Sequence, residues 1–285
     1  MHVQPDTFEP HRRYLFGIAY RMLGSAADAD DMVQETFVRW QAAEKSDVRS
    51  VRAFLATILT RICLDRLKEA HTTRVDYVGP WLPEPLLTEG DGDSDAVEAA
   101  ESISLAFLVL LESLTPLERA VHLLHDVFDY SHDEVASIVG RDAAACRKIL
   151  ERARKDIVAR RPRFAPSKEA HRSMLGHFAA AVTTGDATAL EQLLVDDVRA
   201  FSDGGGKATA ARKPIEGRAA VARFYAGLAR LAPDDTTVEI LEMNGWPALV
   251  VHVGSKPFTV VQLETDGTAI HAIRATLNPD KLARL

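Results

Sequence analysis

Two capping boxes divide the stretch from Ser104 to Arg160 so closely that only a series of short helices fits it. Thr115-Pro116-Leu117-Glu118 sets a hydroxyl three residues before a glutamate and puts proline at the first helical position. One helix therefore ends near Ser113 and another begins here. Ser131-His132-Asp133-Glu134 repeats the pattern and opens a short helix, Glu134 to Val139. Gly140 supplies a tight turn, and Asp142 caps a longer helix reaching about Ile157. A short helix, a glycine turn and a longer helix form a helix-turn-helix pattern, whose second helix enters a DNA major groove by its N-terminal end.

Charge supports that reading. The chain has 285 residues and a formal net charge of -7, yet Arg141 to Arg163 holds nine Lys or Arg against three Asp or Glu. A basic helix in an acidic protein points to a local anionic partner. Ala143, Ala144 and Ala145 keep its leading end small, while Arg147, Lys148 and Arg152 can reach phosphates or guanine edges. The opposite bias lies upstream, where Glu84 to Glu101 carries seven acids, no Lys or Arg, and Pro85, Gly90 and Gly92. That stretch reads as an acidic linker.

Composition, with 47% hydrophobic and 26% charged residues, excludes disordered, collagen-like and coiled-coil classes, and the length suits two or three domains. Cys63 and Cys146 lie far apart with no CxxC or Cys/His spacing around them, so neither a disulfide framework nor a zinc site is expected. His122, His125, Asp126, Asp129 and His132 cluster at helical spacing but lack a recognised ligand pattern, and no metal or cofactor is predicted. No apolar run approaches the roughly 20 residues needed to span a bilayer, and no basic-then-apolar leader opens the sequence. The expected location is the cytoplasm, away from membranes.

The pattern gives three units. The first is helical, with Phe8 to Met22, Ala26 to Ala43 and Val51 to Ala70. Met32, Val33, Thr36, Phe37 and Trp40 form the apolar face of its second helix and leave Asp28, Asp31, Glu35 and Arg39 outward. In the third helix Phe54, Leu55, Ile58, Leu59 and Ile62 face the core, and Arg52, Thr57, Thr60 and Arg61 are expected outside. The helix-turn-helix is the second unit. The third has helices His171 to Thr183, Leu190 to Leu194 and Arg218 to Leu231, then strands Thr237 to Met243, Ala248 to Val253, Phe258 to Glu264 and Ile270 to Leu277. Turn signals at Asn244-Gly245, Gly254-Ser255 and Asp266-Gly267 separate those strands, so an α+β domain with an antiparallel sheet is expected. Gly204-Gly205-Gly206-Lys207 lacks Walker spacing and reads as a turn joining two strands.

Asp28-Ala29-Asp30-Asp31-Met32-Val33-Gln34-Glu35-Thr36-Phe37 resembles the corresponding stretch of bacterial extracytoplasmic-function (ECF) sigma factors, and the basic helix-turn-helix resembles their promoter-reading second domain. The remainder resembles the sigma-J type, which carries a fused SnoaL-like domain. Trp81-Leu82-Pro83-Glu84-Pro85, Asp203-Gly204-Gly205-Gly206-Lys207 and Asn278-Pro279-Asp280-Lys281-Leu282 carry that likeness. It implies two all-α sigma domains (1-72 and 104-163), a linker (73-103) and an α+β SnoaL-like, cystatin-like cone domain (167-285).

The resemblance also implies roles. Asp28, Asp31, Gln34 and Glu35 would dock the clamp helices of the beta-prime subunit of core RNA polymerase. Arg52, Thr57, Thr60 and Arg61 would face the melted -10 element of promoter DNA, and Ala144, Arg147, Lys148, Arg152 and Arg154 the -35 element. Trp81, Leu82, Pro83, Asp203, Gly204, Gly205, Lys207, Asn278, Pro279, Asp280 and Lys281 would be regulatory contacts inside the chain. No separate anti-sigma factor would be required, and the free protein would be a monomer. Two alternatives keep the third domain as a small-molecule sensor or as a cyclase- or isomerase-like enzyme using His252, His271, Asp203, Arg218 and Trp246. A conventional dimeric helix-turn-helix repressor is a further alternative, but it leaves the first domain without a role.

Overall fold

A computed structural model describes residues 7–46, 48, 50–73, 77–88, 103–160 and 166–285. Most of the acidic linker, from Glu89 to Glu101, lies outside the described residues, as do Arg161 and Arg163 of the basic run. The chain forms two compact units, one from Met1–Asp76 with Phe107–Arg161, the other from Tyr77–Ala106 with Pro162–Leu285.

In the first unit α1 (Arg12–Leu23) follows a single 3-10 turn at Glu9–His11 and ends at Gly24, whose φ of 69° is the left-handed cap. Ser25 then caps α2 (Ala26–Ala42) by accepting from the Asp28 N–H. The long helix α3 (Val51–Thr73) packs on both. Leu15, Ile18, Met22, Val33, Leu55 and Leu59 are fully buried among them. Thr60 departs from expectation, being 0% exposed although the helical pattern put it outside. The cause is tertiary: α3 also packs against two helices of the downstream module, so a face that would be solvated in an isolated bundle is covered.

Downstream, α4 (Leu105–Leu111) leads to α5 (Pro116–His122), α6 (His132–Val139) and α7 (Ala143–Arg160). Both capping boxes form, with hydroxyl and glutamate bonded reciprocally at Thr115/Glu118 and at Ser131/Glu134. Gly140 is left-handed at φ 68°, and Asp142 accepts from the Ala145 N–H at 2.7 Å to start α7. After His122 the chain does something that no residue pattern signalled. It widens into a π turn over Leu123–Val127, closed by the Phe128 N–H on the Leu123 carbonyl, and Asp129 turns left-handed at φ 57°.

The second unit is α+β. Helices α8 (Lys168–Thr184), α9 (Ala187–Leu193) and α10 (Arg218–Leu228) accompany a six-stranded sheet of β1 (Leu194–Asp203), β2 (Ile215–Glu216), β3 (Thr236–Met243), β4 (Trp246–Val253), β5 (Lys256–Thr265) and β6 (Ile270–Thr276), and α11 (Pro279–Leu282) ends the chain. The strand order is β2-β1-β6-β5-β4-β3. The purely antiparallel sheet expected from sequence is corrected here, because β1 enters before α10 and runs parallel to β6. A register break between Leu194 and Arg199 disrupts the alternation that would have marked β1 as a strand. The β4–β5 and β5–β6 pairs are broken in register as well, at Val251/His252 and Glu264/Thr265, but between these breaks period-two alternation gives the sheet two apolar faces. Leu249, Val261, Leu263, Ile273 and Ala275 pack on the helices, while Ala248, Val250 and Val260 point the other way onto Met243 and Leu282.

The boxes satisfy otherwise unpaired N–H groups at two helix starts. Thr115→Ala and Ser131→Ala are each expected to destabilise the first unit by about 1 kcal/mol, read as a lower urea midpoint with α7 helicity retained.

Candidate functional site

Three sets of candidate residues belong to the sigma-like first unit. On α2, Asp31 and Gln34 are exposed, whereas Asp28 and Glu35 are half-buried in surface ion pairs with Arg66 and Arg39, at 2.9 and 2.8 Å. The four side chains share one side of α2 because the apolar positions take the other. On α3, Thr57 turns its hydroxyl back to the Ala53 carbonyl at 2.8 Å, and Thr60 is buried with its hydroxyl unpartnered. Arg52 lies 4.1 Å from the Tyr14 ring centre, where the hydroxyls of Tyr14 and Tyr130 favour its charged form. Arg61 donates to the carbonyls of Ser137 and Ile138, both at 3.3 Å.

On α7, Ala144, Arg147 and Lys148 are exposed near the N-terminal end. Arg152 and Arg154, expected to contact DNA, hold carboxylates of their own module. Arg152 pairs with Glu118, and Arg154 grips both oxygens of Asp126 at 2.9 and 2.5 Å. These pairs brace α7 against α5 and the π turn while leaving the arginine side chains 65% and 54% exposed. His122 and His125 flank Asp126 at 2.9 and 3.2 Å, and His132 packs at a tilt against His125 with ring centres 4.3 Å apart. The histidine cluster thus organises the start of the helix-turn-helix.

Partial burial works against the Asp126 charge, but Arg154 and His122 outweigh it and hold the carboxyl below its ordinary range. A depressed carboxyl stabilises the fold at pH above its unfolded value and loses that contribution as pH falls through the folded one. Asp126→Asn is therefore expected to lower stability at neutral pH and to flatten the loss of stability seen as pH drops below about 4. Urea midpoints measured across pH test this.

The second unit gathers the three linker-and-tail segments around one carboxylate. Asp203, at the end of β1, is 0% exposed. Its Oδ1 accepts from the Tyr77 hydroxyl at 2.5 Å and the Gly205 N–H at 3.1 Å; its Oδ2 accepts from the Leu82 N–H at 2.8 Å and Lys281 Nζ at 2.7 Å. Lys281 also donates to the Leu82 carbonyl, and its ammonium sits 4.3 Å from the Trp81 ring centre and 5.3 Å from that of Tyr77. Asn278 caps α11 and donates to the Tyr77 hydroxyl at 3.1 Å, while Lys207 pairs with Asp280 at the surface at 2.5 Å. Leu82, Pro83, Glu84 and Pro85 are buried. Gly204 and Gly205 are required here, since a Cβ on Gly205 would fall 2.3 Å from Asn278 and one on Gly204 would fall 2.4 Å from the Ala208 carbonyl.

Several members of this clamp were not singled out by sequence. Tyr77 precedes the Trp81 motif, and Asn244 marked only a turn. Yet Asn244 is buried and takes the Leu86 N–H on its side-chain oxygen, and Leu87 bridges to Met243 while the Thr88 N–H meets the Glu242 carbonyl at 2.9 Å. Residues 77–88 thereby form a strap along the second unit. By contrast, the side chains of the enzyme alternative have separate partners: His252 with Glu239, His271 with Asp266, Arg218 with Asp196, and Trp246 against His171. Asp203 is committed to the clamp, and no acid-base pair forms from that set.

Removing one partner of a buried ion pair strands the other. Lys281→Met and Asp203→Asn are each expected to destabilise the second unit by about 3–5 kcal/mol, with Trp81 fluorescence shifting to longer wavelength as the strap loosens. The measurement is paired denaturation by fluorescence and circular dichroism.

Comparison with known proteins accords with this arrangement. The Sigma-70 region 2 family matches residues 7–73, and the Sigma-70 region 4 family matches residues 104–157. The chain is 38% identical over 229 residues to the ECF RNA polymerase sigma factor SigJ of Mycobacterium tuberculosis, an alignment covering 79% of this chain and 73% of that protein. It is 34% identical over 192 residues to the probable ECF RNA polymerase sigma factor SigI of the same species, covering 65% of this chain and 64% of the other. The crystal structure of M. tuberculosis SigJ matches with a TM-score of 0.78 at 32% identity, covering 98% of each chain. Among the described residues no helix is long and apolar enough to cross a membrane. Two helical sigma modules, a strap and an α+β SnoaL-like domain, with 38% identity to an ECF RNA polymerase sigma factor over most of both chains, place this chain in the family of ECF RNA polymerase sigma factors.

Proposed function

We propose that this chain binds core RNA polymerase through the α2 face of Asp28, Asp31, Gln34 and Glu35 and directs initiation at promoters. In this reading α3 meets the -10 element through Arg52, Thr57 and Arg61, and α7 meets the -35 element through Ala144, Arg147 and Lys148, with Arg152 and Arg154 on the backbone. Thr60 contributes by packing, since its side chain is buried. Acidic side chains on α2 suit a basic partner surface, and the exposed cations of α7 suit phosphates, whose contacts carry strong salt dependence.

The SnoaL-like domain modulates this activity from within the chain. The observation that carries the proposal is the strap: the segment linking the two sigma modules is hydrogen-bonded into the second unit from Tyr77 to Thr88. A tethered partner acts at high effective concentration, so a modest bias suffices and no separate anti-sigma protein is required. The free chain acts as a monomer in the cytoplasm.

Run-off transcription with bacterial core polymerase tests both parts. Asp31→Lys with Glu35→Lys is expected to abolish co-elution with core, and Arg147→Ala with Lys148→Ala to reduce promoter-directed transcripts and their salt sensitivity while core binding persists. Trp81→Ala with Leu82→Ala in the full chain is expected to change transcript yield at unchanged core affinity. Identical yield from that variant would defeat the regulatory reading and leave the sigma assignment intact.

A further inference from the structure

The turn between β3 and β4 joins two parts of the second unit that lie far apart in sequence. On one side it carries the end of the strap. The Asn244 N–H donates to the Leu86 carbonyl at 2.7 Å, the Gly245 N–H to the Thr88 hydroxyl at 3.0 Å, and the Thr88 N–H to the Glu242 carbonyl at 2.9 Å. On its other side the turn meets the start of α8, where Lys168 pairs with the Glu242 carboxylate at 3.0 Å and His171 packs on the Trp246 ring with centres 5.5 Å apart. His171 is 4% exposed, and its Nε2 lies 3.0 Å from the Leu263 carbonyl of β5. A carbonyl only accepts, so Nε2 carries the proton and Nδ1 is the bare nitrogen. That Nδ1 is buried and has no hydrogen-bond partner among the described residues.

A second proton would place an N–H at Nδ1 with nothing to accept it, on a cation withdrawn from water. Both faults cost free energy, so burial holds this imidazole below its ordinary range and favours the neutral ring. The acids on the surrounding elements are engaged elsewhere: Glu242 with Lys168, Glu169 with the Ser167 cap, Glu264 with Arg274, and Asp266 with His271 and the Thr268 and Ala269 N–H groups. Lys168 and the exposed Arg172 add like charge, and the first turn of a helix disfavours a cation. Resting on the regulatory reading of the strap above, we propose that the start of α8 is a proton-sensitive latch: charging His171 frees Trp246 and the β3–β4 turn from α8 and thereby loosens the strap from Leu86 to Thr88. The contribution of the neutral ring is whole above the ordinary histidine value of about 6.5 and is lost as pH falls through the lower folded value. Ordinary carboxylates titrate near pH 4, so the latch opens in a window that histidines govern.

Amide hydrogen exchange in the full chain tests the latch. With the intrinsic pH dependence of exchange divided out, protection at Thr88, Asn244 and Gly245 is expected to fall several-fold between about pH 7.5 and pH 5.5. The Leu82 N–H, held by Asp203 at the other end of the strap, is expected to fall less. His171→Gln keeps a donor for the Leu263 carbonyl and cannot take up a proton, so its protection is expected to be the same at both pH values. An NMR titration of the wild-type imidazoles guards against misfolding of that variant: His171 is expected to titrate below its ordinary value, with the Trp246 indole signal moving in step. Promoter-directed run-off yield of the wild type, taken relative to His171→Gln at each pH, is expected to shift several-fold as the latch opens. Unchanged protection in the wild type, an equal fall in His171→Gln, or a fall that precedes the charging of His171 would overturn the proposal. Protection lost only in the wild type, with unaltered transcript yield, would instead remove the regulatory reading and leave the latch standing.

Discussion

The carboxylate of Asp203 is the point on which the second unit depends. It is fully buried, and a buried charge is tolerated only when its lone pairs are filled and a counter-charge is present. Both conditions are met by groups far apart in sequence: Tyr77 and Leu82 from the strap, Gly205 from the turn, and Lys281 from the last helix. None of these segments has a large apolar core of its own. What orders them is the need to satisfy one acid, with the Trp81 and Tyr77 rings lying against the ammonium that neutralises it. The glycines follow from the same requirement, since Gly205 must bring its N–H to Asp203 beside Asn278, leaving no room for a side chain.

The first unit solves a different problem. Its two modules pack through short helices whose starts are fixed locally by capping boxes, and Glu118 serves twice, closing one box and holding Arg152 of α7. Burial disfavours its charge, but the bonds from Thr115 and then Arg152 keep it below the usual carboxylate range. The position of a helix start and the orientation of α7 are thereby linked through one side chain. The π turn complements this, because widening one turn advances the residues after it around the helix axis and sends Phe128 and Tyr130 toward α1.

These particulars explain what the sequence could and could not disclose. Caps, turns and strands β3 to β6 were legible because each rests on bonds or alternation within a few residues. Strand β1 was hidden by its bulge, and the π turn by the absence of any residue type that marks one. Thr60 looked outward by periodicity, yet its burial is decided by helices more than fifty positions away. The same holds for Arg152 and Arg154: charge located them on the correct helix, but their carboxylate partners lie 34 and 28 residues upstream. Short motifs identified the Asp203, Asn278 and Trp81 segments as a set by resemblance, without indicating that a single acid would join them or that Tyr77 and Asn244 would complete the clamp.

Linker docking also bears on how a fused domain would act on the sigma modules. The effective concentration of one tethered module at another depends on the length and freedom of the chain between them. Binding Tyr77 through Thr88 into the second unit removes those residues from the flexible path and fixes both their ends. Loosening the clamp would lengthen that path and weaken the tether by an entropic term that grows only with the logarithm of length. A regulatory signal acting there need not be strong, because a contact held by a tether responds to small changes in the chain that carries it. The buried Lys281 to Asp203 pair is then a sound place for such control, because it is either complete or costly, and offers few intermediate states in between.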